Sequence, residues 1–237
     1  MREVGRSRSR QRVVAGAVIL LVAVVLAAVV VLVTTLGRDD SDPSASPTAP
    51  PSVAPTSDSA DASVCGLDGY EETDTLDQAP ENDWELVGTV AAPTDPDGAG
   101  PGVVEGGVRS CFAHTAEGAL FMAVNFAAMG TDASLRDRLP YLVVPGPGRD
   151  ALLVAGSEES SSTFRAQVAG FKIASYTADE ATIDLAVQYS SGDLVSVPMK
   201  LTWVEGDWKV QMTEEGRLPL SPAPLTTLGS YIPWSGA

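Results

Sequence analysis

The sequence holds one histidine and two cysteines, and only 6% of its residues are aromatic. That scarcity removes several chemistries. His114 has no carboxylate at a recognisable spacing to make an acid–base pair, and it directly precedes a helix start, so it reads as a bonded loop residue. No Cys-x-x-Cys spacing and no further ligand cluster accompanies Cys65 and Cys111, which argues against a redox or metal centre. Gly98-Ala99-Gly100-Pro101-Gly102 lacks the Lys-Ser/Thr ending of a phosphate cradle, and Pro101 removes a backbone donor, so this stretch is a loop. No catalytic, cofactor-binding or metal-binding residue is assigned.

Positive charge is equally scarce beyond the first part of the chain. Of fifteen Lys and Arg, six lie at or before Arg38, leaving nine; of thirty-one Asp and Glu, only Glu3 precedes Asp39, leaving thirty. A formal charge near −21 repels phosphate backbones, and nucleic acid is therefore not expected as a partner. The acidity keeps an exported domain soluble; the alternative is a docking face for a basic partner.

What the sequence does have is an uncharged apolar run from Val13 to Leu36. Twenty-four helical residues reach roughly 36 Å, enough to cross a bilayer core of about 30 Å with some tilt. Arg2, Arg6, Arg8, Arg10 and Arg12 precede it, and Asp39, Asp40 and Asp42 follow Arg38, which places the amino terminus in the cytoplasm and the rest outside. A cleaved signal peptide has a shorter apolar core and a small-x-small site, and a lipoprotein needs a cysteine at the end of the run. The expectation is a retained signal anchor in the plasma membrane, its helix contacting lipid.

This gives a cytoplasmic basic tail over 1–12, a transmembrane helix over 13–36, a Pro/Ser/Ala-rich linker over 37–63 and an extracytoplasmic domain over 64–237. The linker has almost nothing to bury and is expected to be disordered and extended. Outside the cell a Cys65–Cys111 disulfide is expected, since oxidising compartments let such bonds persist; two free thiols are the alternative. Within the domain, Val64–Ser110 reads as loop-rich, with one strand over Trp84–Val90. Thr115 caps a helix through Met129 that Gly130 ends in a left-handed conformation, Thr131 or Asp132 caps a second helix to about Leu139, and Asp150–Ala155 adds a short turn.

Beyond Ser162 the apolar period becomes two. Ile183, Leu185, Val187 and Tyr189, then Val195, Val197, Met199, Leu201 and Trp203, then Trp208, Val210 and Met212 read as half-buried antiparallel strands. A phase switch predicts a bulge at Ala169-Gly170, and Pro198 predicts an edge or a bulge. The expected fold class is α+β: two or three helices packed on a curved antiparallel sheet. The C-terminal stretch through Tyr231-Ile232-Pro233-Trp234 is too apolar for a solvated tail. Either it closes the domain's own core, or Tyr231 and Trp234 form a partner-binding patch.

Helices followed by a long-stranded meander, ending in the Trp203-Val204-Glu205-Gly206-Asp207-Trp208-Lys209-Val210 hairpin, resemble the nuclear-transport-factor-like, cystatin-like cone. Arg109-Ser110-Cys111-Phe112-Ala113-His114-Thr115-Ala116-Glu117-Gly118-Ala119, with Tyr231-Ile232-Pro233-Trp234, resembles actinobacterial single-span membrane proteins of integrative conjugative elements. The layout is also similar to bitopic assembly factors of type IV secretion and conjugation machines. The resemblance implies a non-enzymatic scaffold whose outer domain recruits other envelope proteins. A cone binding a small apolar ligand, in a pocket lined by Trp203, Met199 and Phe171, is the alternative, and a cone-fold enzyme a further one.

Overall fold

The computed structural model describes residues 62–155 and 165–236. The basic tail, the apolar run and the linker as far as residue 61 lie outside the described residues. Among those described, no helix is long and apolar enough to cross a membrane.

The α+β expectation is corrected. The described residues are mainly antiparallel sheet, with ten strands in three sheets and only two short α-helices, of 14 and 9 residues. Two local causes account for the difference. First, the loop-rich stretch before Ser110 folds into two hairpins: β1 (Asp83–Val87) with β2 (Val90–Thr94), and β3 (Val103–Glu105) with β4 (Val108–Ser110). Gly88 at φ +60° turns the chain in the middle of what reads as one strand, and Gly106-Gly107 at φ +56° and +86° make the second turn. Second, the helix expected after Asp132 is two separate 3-10 turns, Ala133–Leu135 and Leu139–Leu142, the second carrying Pro140 in its first turn, where no N–H is needed.

The first α-helix, α1 (Ala116–Met129), is capped by Thr115, whose hydroxyl accepts from Gly118 N at 3.0 Å. Gly118 is required there: a Cβ would lie 2.0 Å from the Ala113 carbonyl oxygen. Gly130 is not left-handed, with φ −60°; Thr131 instead ends the helix by donating its hydroxyl to Ala128 O at 2.7 Å. Pro147 starts α2 (Pro147–Ala155) rather than breaking the chain, since a first-turn position needs no N–H.

The six-stranded sheet comprises β5 (Ala166–Tyr176), β6 (Glu180–Tyr189), β7 (Leu194–Val204), β8 (Asp207–Val210), β9 (Ala223–Leu225) and β10 (Ile232–Pro233), ordered β10-β5-β6-β7-β8 with β9 also on β7. The β5–β6 register shifts between Val168 and Gly170, where the change of phase demands it. Pro198 lies in the stretch of β7 between its pairings with β9 (through Ser196) and with β8 (from Leu201). It is therefore a local edge within an otherwise central strand, where a missing donor leaves no ladder bond unmade. The inner face of this sheet packs Phe171, Ile183, Leu185, Met199, Leu201 and Trp208 against Leu120, Phe121 and Val124 of α1.

Candidate functional site

The first described residues are fastened to the domain in four ways. Cys65 and Cys111 form a disulfide, Cα to Cα 6.1 Å. Cys65 N also donates to Cys111 Sγ at 3.1 Å, Ser63 Oγ lies within hydrogen-bond distance of Cys111 Sγ at 3.4 Å, and Val64 N donates to Gly206 O at 2.8 Å. Cys111 is fully buried and left-handed, at φ +62°. Its conformation is held from beneath by Asp207, whose carboxylate accepts from Cys111 N at 2.8 Å and from Phe112 N and Trp208 N at 2.9 Å each. Burial pushes the Asp207 carboxyl up to about 6, against the pull of those three amides toward the ionised form.

Asp207 lies just past the turn of its hairpin, a position that the apolar period of two does not mark. The hairpin turn is Glu205-Gly206, both at positive φ, and Asp207 is the first residue of β8, pointing inward. An Asp between a turn glycine and a buried Trp is the only signal that could have marked it.

His114 lies one helix cap away and is 2% exposed. Its ring stacks on Trp203 with centroids 3.8 Å apart and an interplanar angle of 6°, and meets Trp208 and Tyr70 edge-on at 5.7 and 5.1 Å. Its Nε2 is 2.6 Å from Ala178 O, and Trp208 Nε1 donates to Ala113 O at 3.1 Å. Tyr176 donates its hydroxyl to Glu71 O at 3.1 Å, and burial raises this phenol above its ordinary range. The Glu71 carboxyl is raised too, first by burial, while its Oε2 accepts from Ala116 N at 2.8 Å beside the Thr115 cap. Each of these polar groups thus has a backbone partner, and the cluster locks the start of α1 to the end of β5, the turn that follows it, β7 and β8.

Tyr231 and Trp234 are brought to different places. Trp234, 6% exposed, packs on Trp84, Phe171 and Phe121 with centroids 4.7, 5.5 and 5.8 Å away, and donates Nε1 to Asn82 Oδ1 at 3.0 Å. Tyr231 is half-buried on the outer sheet face, donating to Asp184 Oδ2 at 2.7 Å; Ser196 donates to Asp184 Oδ1 at the same distance. Burial raises the Tyr231 phenol. The C-terminal aromatics therefore seal the sheet from both faces. Met199 and Phe171 lie within the packed core beside α1, with Trp203 against its margin.

Arg109 on β4 opens the motif that carries the resemblance, but nothing in the sequence gives it a structural role. Its side chain is 5% exposed and donates Nη1 to Glu85 Oε2 of β1 at 2.6 Å, tying the two small hairpins together. No periodic pattern marks a cation that is buried by tertiary contact. Among the described residues no three His, Cys, Asp or Glu side chains are placed to hold a metal ion.

Residues 45–233 match the family described as a domain of unknown function (DUF8175), and the chain belongs to that family. No curated protein and no solved structure matches it.

Proposed function

We propose that this member of the DUF8175 family is a membrane-tethered extracytoplasmic scaffold that holds other envelope proteins together, in an assembly of the conjugation or secretion type. The apolar run Val13–Leu36 and the arginines ahead of it supply the anchor and its orientation. The Pro-rich residues 37–63 supply reach, and the domain that follows supplies the contact surface. Its partners are envelope proteins and membrane lipid, not nucleic acid.

One observation carries this reading: the first residues past the linker are fixed to the core by the Cys65–Cys111 bond and by Val64 N to Gly206 O. A domain that works at a fixed distance from its anchor needs a rigid junction with its tether, because a frayed junction would add slack to every contact it makes. The bonded state of His114, Asp207 and Tyr176 supports a contact role over an acid–base one.

The test replaces residues 1–36 with a cleavable export signal, so that the domain is released outside the cell. The released domain should keep its disulfide yet no longer crosslink to envelope proteins in intact cells, because detachment removes the effective concentration at the membrane. Crosslinked partners recovered at the level of the intact chain would refute the tethered scaffold.

A further inference from the structure

The β5–β6 ladder ends in an open cleft of about 350 Å³, walled on its far side by the β1–β2 hairpin. Alternate strand residues share a face, so the cross-strand pair Gln167 and Gln188 lies beside Arg165 and Ser190, whose backbones are joined by Ser190 N to Arg165 O at 3.0 Å. The side chains of Arg165, Gln167 and Gln188 make no hydrogen bond or ion pair among the described residues. Opposite them stand Leu86, 76% exposed, and Ala91. Among the described residues no acidic side chain lines the cleft, although Asp and Glu outnumber Lys and Arg thirty to nine beyond Arg38.

These groups form an ordered set of complements. A guanidinium grips a carboxylate through two parallel N–H bonds. Each carboxamide offers one acceptor and two donors, which is what a peptide unit satisfies. A short apolar wall accepts a small side chain, and a volume near the lower end of the usual 300–1,000 Å³ or so for small-molecule sites leaves little room for a large one. Carboxylate, amide and small side chain, in adjacent positions, are what the end of a peptide presents. We propose that this cleft binds the free carboxyl-terminal end of a peptide of small apolar residues, with Arg165 on the carboxylate and Gln167 and Gln188 on the preceding amide. This site stands apart from the tethering role and does not depend on it.

The full chain in detergent micelles is titrated with Ala-Ala-Ala and with the same tripeptide as its carboxyl-terminal amide, followed by isothermal calorimetry. Saturable binding of the acid is expected, with the amide at least tenfold weaker. Arg165→Gln should lower affinity for the acid about tenfold and erase the preference for acid over amide; Gln188→Leu should weaken both forms alike. Both residues are exposed, and an unchanged melting temperature will confirm that the variants fold. A carrier protein ending in Ala-Ala-Ala separates two sources of this chemistry. Equal binding of the carrier points to a partner's chain end, and binding of the tripeptide alone points to a small free peptide. The proposal fails if the acid does not bind saturably, if the amide binds equally, if N-acetylglucosamine binds as well as the acid, or if Arg165→Gln keeps the acid preference.

Discussion

Residues 66–110 and residues 166–210 are both antiparallel sheet, yet they are held by different means. In the later region, strands of ten and eleven residues lay one continuous apolar face on α1, and Phe171, Ile183, Leu185, Leu201 and Trp208 are fully buried. In the earlier region, strands of three to five residues cannot do this, and all of β3 is exposed, with Val104 at 57%. What holds it, beside the few core contacts of Val87, Val90, Ala92 and Ala99, is a set of fasteners: the disulfide that closes its ends, Arg109 to Glu85, and Asn125 Nδ2 donating to Pro93 O at 3.0 Å. Short strands gain too little from burial to offset their ordering entropy, so specific bonds must supply the rest.

The sharpest way to break the contrast is to remove the centre of the later region. Trp208→Ala deletes a fully buried indole and one of the two donors to the Ala113 carbonyl, Thr115 N being the other, and should cost about 5 kcal/mol in urea unfolding. Next comes the fastener of the earlier region. Cys65→Ser with Cys111→Ser opens a closed loop with a sequence separation of 46, worth about 4 kcal/mol on the loop-entropy model. Hydrogen exchange should then rise first in residues 66–110 while the β5–β7 amides stay protected; uniform loss of protection would show that the two regions are one cooperative unit.

A smaller effect lies at the joint between them. Asp207 keeps its proton to about pH 6 in the folded state, against an ordinary value of 3.8. Between those values the folded state binds more protons than the unfolded chain, so this residue's contribution to stability falls as pH rises from about 4 to about 6, and is level above that. Subtracting the stability of Asp207→Asn from that of the parent chain at each pH isolates the term; a difference that grows over this window would contradict the assignment. Last, Val104→Thr on the exposed face of β3 should change stability by no more than about 0.5 kcal/mol.

How much of this could be read from the chain follows the same divide. The period-two stretches from Ile183 to Trp203 announce β6 and β7, because long strands with one buried face must alternate. The Thr115 cap and the apolar run to Met129 likewise place α1. The hairpins before Ser110 were invisible, since three-residue strands carry no period and Gly88 interrupts the single apolar run that was legible. That omission, with a 3-10 pair where a second helix was expected, is why the balance of helix and sheet was misjudged. In the site, the two cysteines suggest their bond by their number and by the exported compartment that the apolar run leads one to expect, whereas the roles of Asp207 and Arg109 arise from partners 95 and 24 residues away. Of the four polar residues beside the cleft, Gln167 and Gln188 lie in two strands with Arg165 and Ser190 just past their ends, and only the pairing of β5 with β6 brings them together.

The position of the sulfur bridge also decides how the domain carries load. A pull on the chain ahead of Cys65 crosses at once to Cys111, which Asp207 clamps into the core. Residues 66–110 are thereby removed from the line of tension. The two small hairpins can shift without lengthening the path of that pull. Those 45 residues also represent about 150 Å of contour held in reserve. A reductant that cut the bridge would free that length while the six-stranded sheet stayed folded, turning a taut strap into a slack one.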